Sequence, residues 1–228
     1  VARDHLMRFC VLWPRHFGRP STPLPSTWRQ ADAAVRQTLF GATGRLPGRP
    51  ADFDAFLAAR TGVAGPLHDI AGAFRANEAV ADALQPVGPE TAFSPKVAVE
   101  NSIAARHAAH PVMVDLAARF GRGPLWRAVG RAYDLEAALD GGFTAALHGK
   151  GRVTVPAARG LYALCAAASG GLVTAFERVT PTDHLLAPDG ILARTLASLP
   201  ADRTGLAPLI LDILDPCSPV RLEEAAHA

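Results

Sequence analysis

The pattern of apolar residues changes near Gly151, and this change constrains the fold most strongly. Before it, apolar side chains recur at the spacing of amphipathic helices. After it come two runs that look like β-strands, 152–168 (RVTVPAARGLYALCAAA) and 172–180 (LVTAFERVT). They are joined by Ser169-Gly170-Gly171, which is typical of a hairpin turn. The sequence therefore predicts an α+β fold that is mainly α-helical, with a small C-terminal β-hairpin element.

Helices are expected in eight segments. They are 3–13, a segment capped by Ser26 or Thr27, 51–60, 66–85, 98–119, 123–139, 190–199 and 205–214. Pro14 should end the first helix, and Pro111 should kink the long one. Since no internal repeat or long linker divides the chain, we expect one domain over 1–228. Its helical part is 1–150, and 151–228 carries the hairpin and the C-terminal helices that lead to Asp215-Pro216-Cys217.

Composition excludes several classes of protein. With 49% hydrophobic and 19% charged residues, the 228-residue chain can bury a proper core. Its 23 basic and 21 acidic residues are too balanced for a dedicated nucleic-acid binder.

No apolar run is long enough to span a membrane, and the first residues lack the pattern of a signal peptide. Three widely spaced cysteines argue against a disulfide framework, so we expect a cytoplasmic protein. The chain starts at Val1 rather than Met, which leaves upstream sequence open.

General motifs do not predict an enzyme. The chain has no Gly-x-Ser-x-Gly, no phosphate-binding Gly-Lys-Ser/Thr loop and no spaced zinc pattern. His107 and His110 lie three residues apart on a predicted helix, but no third ligand accompanies them. Cys10 and Cys165 lie in apolar surroundings, where core packing is the simpler interpretation. Cys217 differs because Pro216 fixes the backbone before it, and a thiolate on a rigid corner suits a soft metal. The alternative is an ordinary cysteine near the end of the chain.

Four signatures in the C-terminal third follow one another in a familiar order. They are Ala158-Arg159-Gly160, Val179-Thr180-Pro181-Thr182, Pro188-Asp189-Gly190-Ile191-Leu192 and Asp215-Pro216-Cys217. Together they resemble the end of a nickel-iron hydrogenase large subunit, which implies a reduced version of that subunit's fold. The chain departs from the family where nickel would bind. Val220 replaces the second cysteine of the terminal pair, Glu223 replaces a histidine, and no Cys-x-x-Cys occurs anywhere. Nickel is therefore not expected.

This combination is similar to the HupK/HoxV-type hydrogenase maturation proteins. The resemblance implies a non-catalytic scaffold or chaperone, not an enzyme, which holds an iron fragment, Fe(CN)2(CO), before transfer to the large subunit. Cys217 would be the iron thiolate, and Arg159 and Thr182 would donate hydrogen bonds to the cyanides, with Pro181 shaping the wall. Cys10 is a possible second ligand. The implied partners are the large-subunit precursor and HypC-type maturation chaperones, with no nucleic acid or membrane.

Other interpretations remain open at this point. The chain could be a metal-free adaptor that mimics the large subunit, or a redox enzyme whose missing thiolates lie upstream of Val1. Arg159 could pair with Asp215 or Asp183 to brace an inherited fold. In that case Thr182 would be a turn residue and Cys217 a vestige.

Overall fold

The first helical segment continues through a proline. The computed structural model describes residues 1–82 and 84–223, so the last five residues of the predicted domain lie outside it. Helix α1 (Ala2–Met7) leads into a π-helical turn (Arg8–Leu12) and then into α2 (Trp13–His16). The expectation that Pro14 ends this helix is wrong. Pro14 lies in the first turn of α2 and donates no hydrogen bond, but the Cys10 carbonyl of the preceding turn accepts one from the Thr22 amide at 2.7 Å, so the helix can continue.

Nine further α-helices lie within the described residues. They are α3 (Ala33–Phe40), α4 (Pro50–Ala59), α5 (Ala64–Ala73), α6 (Ile103–Arg106), α7 (Pro111–Phe120), α8 (Pro124–Leu139), α9 (Pro181–Leu185), α10 (Ile191–Ala197) and α11 (Ala207–Leu214). Short 3-10 helices cover Trp28–Gln30, Thr91–Phe93 and Ala201–Leu206. The predictions for α4, α8, α10 and α11 are confirmed to within a few residues.

Three helix predictions need correction. The helix after the proline-rich loop is capped by Asp32, whose side chain accepts a hydrogen bond from the Val35 amide at 2.9 Å, and not by Ser26 or Thr27. Helix α5 ends at Ala73, short of the predicted 66–85. The predicted helix 98–119 is two helices, α6 and α7. Pro111 starts α7 and holds the preceding residue extended, so it separates the helices rather than kinking one.

The β element is a four-stranded antiparallel sheet, larger than the predicted hairpin. Its strands β1 (Ala146–Gly149), β2 (Arg152–Ala157), β3 (Gly160–Ser169) and β4 (Leu172–Val179) pair in chain order. The predicted turn is confirmed, since Ser169 pairs with Leu172 across two glycines of positive φ. Strand β1 lies before Gly151, in the part predicted to be helical. The run 152–168 folds back on itself at Ala158-Arg159 and forms both β2 and β3.

Gly160 allows that second turn to approach the helical part closely. Its φ is +148°, and a Cβ there would lie 2.4 Å from the backbone oxygen of Asn101. The Asn101 side chain in turn accepts a hydrogen bond from the Leu161 amide at 2.7 Å and donates one to the Leu161 carbonyl at 2.9 Å. The start of β3 is therefore fixed against the segment before α6, and Arg159 is held beside it.

Helix α8 is the centre of the molecule. It is buried from Pro124 to Leu135 and packs against α1, α5, α6, α7 and α11. Trp13 and Trp126 are the largest side chains in the core around it. Three charged residues, Arg127, Arg131 and Asp134, are buried on the same helix, and they position the site described next. None of the helices in the described residues has the length and hydropathy of a membrane-spanning segment.

Candidate functional site

The turn between β2 and β3 brings Arg159 to the end of α11. Arg159 Nε donates to the backbone oxygen of Asp215 at 2.9 Å, and Nη2 lies 3.0 Å from Asp215 Oδ1. Asp215 stops α11 in the left-handed conformation, with φ 55° and ψ 58°. The Arg159–Asp215 pair therefore fixes the corner from which Pro216 and Cys217 continue. Asp183, the other partner considered for Arg159, is instead bound to Thr180.

Asp215 is a buried carboxylate that three arginines surround. Besides Arg159, Arg131 Nη2 donates to Oδ2 at 3.1 Å and Arg8 donates to Oδ1. Burial raises the pKa of Asp215 above its ordinary value, and the three guanidinium groups oppose that shift. Burial also lowers the pKa of Arg131 to about 10, which leaves the guanidinium charged at neutral pH. The corner is thus held by ion pairs in a low-dielectric setting.

Cys217 lies two residues beyond this corner and is exposed. Its amide donates to Thr182 Oγ1 at 2.9 Å, and Sγ lies 4.0 Å from the hydroxyl oxygens of Thr180 and Ser218. Partial burial raises the pKa of the thiol, but the hydroxyls of Thr182, Ser218 and Thr180 and the charge of Arg159 outweigh it, so the pKa is lowered overall. A lowered pKa favours the thiolate, which is the form that binds soft metals.

Thr182 is placed by the first turn of α9. Thr180 caps this helix in a capping box, since its hydroxyl accepts from the Asp183 amide while Asp183 Oδ2 accepts from the Thr180 amide at 2.7 Å. Pro181 follows at the start of the helix, where its ring suits the backbone. Both Pro181 and Thr182 are buried, so the hydroxyl that binds the Cys217 amide has a fixed position.

Arg159, Pro181 and Thr182 line one cavity, which the structure places beside Cys217. Its described lining also includes Asn101, Ser102, Ile103, Ala104, Arg127, Arg131, Leu185, Ile191, Ile213, Leu214 and Asp215. The open space is narrow, about large enough for one or two water molecules. Cys217 stands next to this cavity through its hydrogen bond to Thr182 rather than lining it.

The other candidate ligands lie apart from this cavity. Cys10 is in the core and lines a different cavity beside the proline-rich loop, and burial raises the pKa of its thiol to about 11. His107 Nε2 donates to Asp134 Oδ1 at 3.0 Å, whereas His110 Nδ1 accepts from the Val112 amide, so the two imidazoles have separate partners. Within residues 1–82 and 84–223, no three His, Cys, Asp or Glu side chains are grouped as a metal site.

Sequence reasoning missed a buried network that supports Asp215 from within the core. Arg131 Nη1 lies 3.0 Å from His5 Nδ1, and His5 Nε2 lies 2.8 Å from Asp134 Oδ2. Since an arginine only donates, Nδ1 accepts and Nε2 carries the proton given to Asp134. Burial lowers the pKa of His5 to about 4, so the imidazole is neutral. The only sequence signal is the spacing of Arg127, Arg131 and Asp134 on α8, which also fits an exposed polar face.

The whole chain resembles a known protein of hydrogenase formation. It is 48% identical over its 228 residues to the hydrogenase expression/formation protein HupK of Rhodobacter capsulatus, and it covers 74% of that protein. The chain therefore belongs to the family of HupK hydrogenase expression/formation proteins, which confirms the family inferred from its sequence. No family model matches it. No solved structure matches it either, so the likeness to a hydrogenase large-subunit fold stays a prediction.

Proposed function

We propose that this chain acts in the formation of nickel-iron hydrogenase, as a non-catalytic scaffold that holds an Fe(CN)2(CO) fragment for the large-subunit precursor. The membership in the family of HupK hydrogenase expression/formation proteins supports the general role. One observation carries the specific role: the thiol of Cys217, whose pKa is lowered, stands beside a cavity lined by Arg159, Pro181 and Thr182. A single thiolate next to hydrogen-bond donors suits a metal that brings most of its ligands with it.

Arg159 and Thr182 each keep a hydrogen-bond donor that could bind such a cargo. Arg159 binds Asp215 through Nε and Nη2, and these two contacts fix the plane of the guanidinium group. Among the described residues, Nη1 has no hydrogen-bond partner. The Thr182 oxygen accepts the Cys217 amide, which leaves its own proton to donate to the thiolate or to a ligand beside it. Bound cyanide is anionic and a good acceptor, so these two donors would favour it, as charge-assisted hydrogen bonds do.

The size of the cavity limits how the cargo can be held. With room for one or two water molecules, it does not take a whole iron fragment. We therefore place the iron outside, at the exposed thiol of Cys217, with one diatomic ligand reaching into the cavity. An exposed metal is consistent with a cargo that is handed on to another protein. The large-subunit precursor and a HypC-type chaperone are the proposed partners, in the cytoplasm.

A second candidate, a metal-free adaptor, has support of its own. The Arg159–Asp215 pair braces the fold without any cargo, and Cys217 is exposed as a vestigial cysteine would be. In that case the chain would bind the same maturation partners through its surface alone.

Iron content separates the two candidates. The chain is purified without oxygen from cells that contain the hydrogenase maturation genes, as wild type, Cys217→Ser and the matched control Cys165→Ser, whose thiol lies in β3 away from the cavity. A carrier should contain iron that Cys217→Ser loses and Cys165→Ser keeps. Capture of the large-subunit precursor is measured in the same samples. Precursor capture by an iron-free wild type would instead establish the adaptor.

A further inference from the structure

Strand β4 forms one edge of the sheet and leaves a row of backbone groups unpaired. In the part of the chain that the structure describes, β4 pairs with β3 alone, and all of its residues except Val179 are exposed. Its first five residues, 172–176 (LVTAF), include no charged residue and no proline. An exposed apolar edge is a template for another strand, and proteins usually protect it with charges, proline or a covering segment. The edge of β4 is therefore suited to pair with a further strand.

Large apolar side chains are exposed beside this edge. Leu172, Val173 and Phe176 are 73, 69 and 59% exposed. Phe176 lies three positions before Val179 in β4, so the two side chains are on opposite faces of the sheet. Val179 is on the face that packs against the 3-10 helix Thr91–Phe93, which leaves Phe176 on the outer face. An exposed apolar patch of this kind commonly marks a contact with another protein.

The charge of the sheet decides which kind of strand fits the edge. Residues 146–179 carry four basic residues against one acid. Arg159 is paired with Asp215, and the other three basic side chains are exposed: Lys150, Arg152 and Arg178. A second copy of this chain would bring the same positive sheet to the interface, so like charges oppose self-association. The charge favours instead a partner strand that combines apolar and acidic residues.

Strand β4 leads from this edge directly to the candidate site. Thr180 follows the last residue of β4, and its hydroxyl oxygen lies 4.0 Å from Cys217 Sγ. Phe176 is four residues before Thr180, which corresponds to about 13 Å along a strand. A protein docked along β4 is therefore close to the thiol. We propose that β4 docks the large-subunit precursor through an added strand of apolar and acidic residues. The choice of the precursor rests on the proposed function.

The test measures how tightly purified large-subunit precursor binds the chain prepared from cells without maturation genes, by biolayer interferometry. Phe176→Asp should weaken binding about tenfold or more, because it removes an apolar contact and adds a charge that repels an acidic strand. Arg178→Glu should weaken binding as well. Leu147→Asp is the matched control, since Leu147 is 86% exposed on the same face but in β1, at the opposite edge of the sheet. It should bind as wild type, and equal urea midpoints show that all variants are folded.

Three outcomes would overturn docking at β4. They are equal affinity in wild type and Phe176→Asp, an equal loss in Leu147→Asp, and a wild type that light scattering shows to be a dimer while Phe176→Asp is a monomer. The last would assign the edge to a second copy. Iron content is measured separately in Phe176→Asp from cells with maturation genes and should match wild type. Iron in the wild type with unchanged affinity in Phe176→Asp would refute docking and leave the carrier standing. Docking that depends on Phe176 in a chain that never carries iron would do the opposite.

Discussion

Arg159 gives two of its donors to one residue, Asp215: Nε to the backbone oxygen at 2.9 Å and Nη2 to the carboxylate at 3.0 Å. The first contact binds the chain at the end of α11, and the second neutralises a buried charge. Because Cys217 follows two residues later, the position of its thiol depends on this pair. The same contacts leave Nη1 as the one guanidinium nitrogen without a partner among the described residues, so Arg159 can both hold Asp215 and bind a ligand.

Removing the charge of Asp215 should destabilise the fold. Asp215→Asn keeps the shape of the side chain but leaves Arg8, Arg131 and Arg159 without their shared counter-ion. Breaking a buried ion pair from one side costs about 3 kcal/mol or more, and we expect a loss of that size in urea unfolding. Asp212→Asn is the control, since Asp212 pairs with His16 at the surface and should cost about 1 kcal/mol or less. Similar losses in both variants would show that the arginines do not depend on Asp215.

The Thr182 hydroxyl should control the reactivity of Cys217. Thr182→Val removes the acceptor of the Cys217 amide and a group that lowers the pKa of the thiol. The pH profile of Cys217 alkylation should therefore move to higher pH in Thr182→Val, because less thiolate forms at neutral pH. Thr182→Ser restores a hydroxyl and should restore the profile. An unchanged profile in Thr182→Val would mean that Thr182 acts only as a turn residue.

His5 should make stability fall in mild acid. Its folded pKa is about 4, below the ordinary 6.5, so between these values the unfolded chain binds more protons than the folded one. Stability is therefore complete above pH 6.5 and declines as the pH falls towards 4, by about 2 to 3 kcal/mol from this residue. Burial lowers the pKa of His184 and His110 as well, in the same direction.

The measurement compares urea unfolding at pH 7.5 and pH 5 for wild type and His5→Gln. The variant should lose less stability between the two pH values than wild type does, even if its stability at pH 7.5 is lower. An equal loss in both proteins would mean that His5 is protonated in the folded state, in conflict with the acceptor role of Nδ1 towards Arg131.

Patterns within short stretches of sequence predicted the helices and turns that depend mainly on their own residues. Helix α8 follows from its apolar spacing, and the β3–β4 turn follows from its two glycines. Strand β1 could not be predicted in this way because all four of its residues are exposed, so no alternation marks it. The turn at Arg159 could not be predicted from the alanine-rich run that contains it. It depends on the close approach of Gly160 to Asn101, which lies some 60 positions earlier in the chain.

The site was predicted only in part for the same reason. Arg159, Pro181, Thr182 and Cys217 were selected by resemblance, and the structure brings them together. The partners of Asp215 could not be found from sequence, because Arg8 and Arg131 are 207 and 84 residues away from it.

The infrared spectrum of the purified protein tests the central claim, that Cys217 anchors a cyanide- and carbonyl-bearing iron, most directly. Metal-bound CO and CN stretch where protein itself absorbs little. In material from cells with intact maturation genes, we expect one CO and two CN bands in wild type and none in Cys217→Ala, with equal urea midpoints showing that both are folded. A bandless wild type, or bands that survive in Cys217→Ala, would contradict the account.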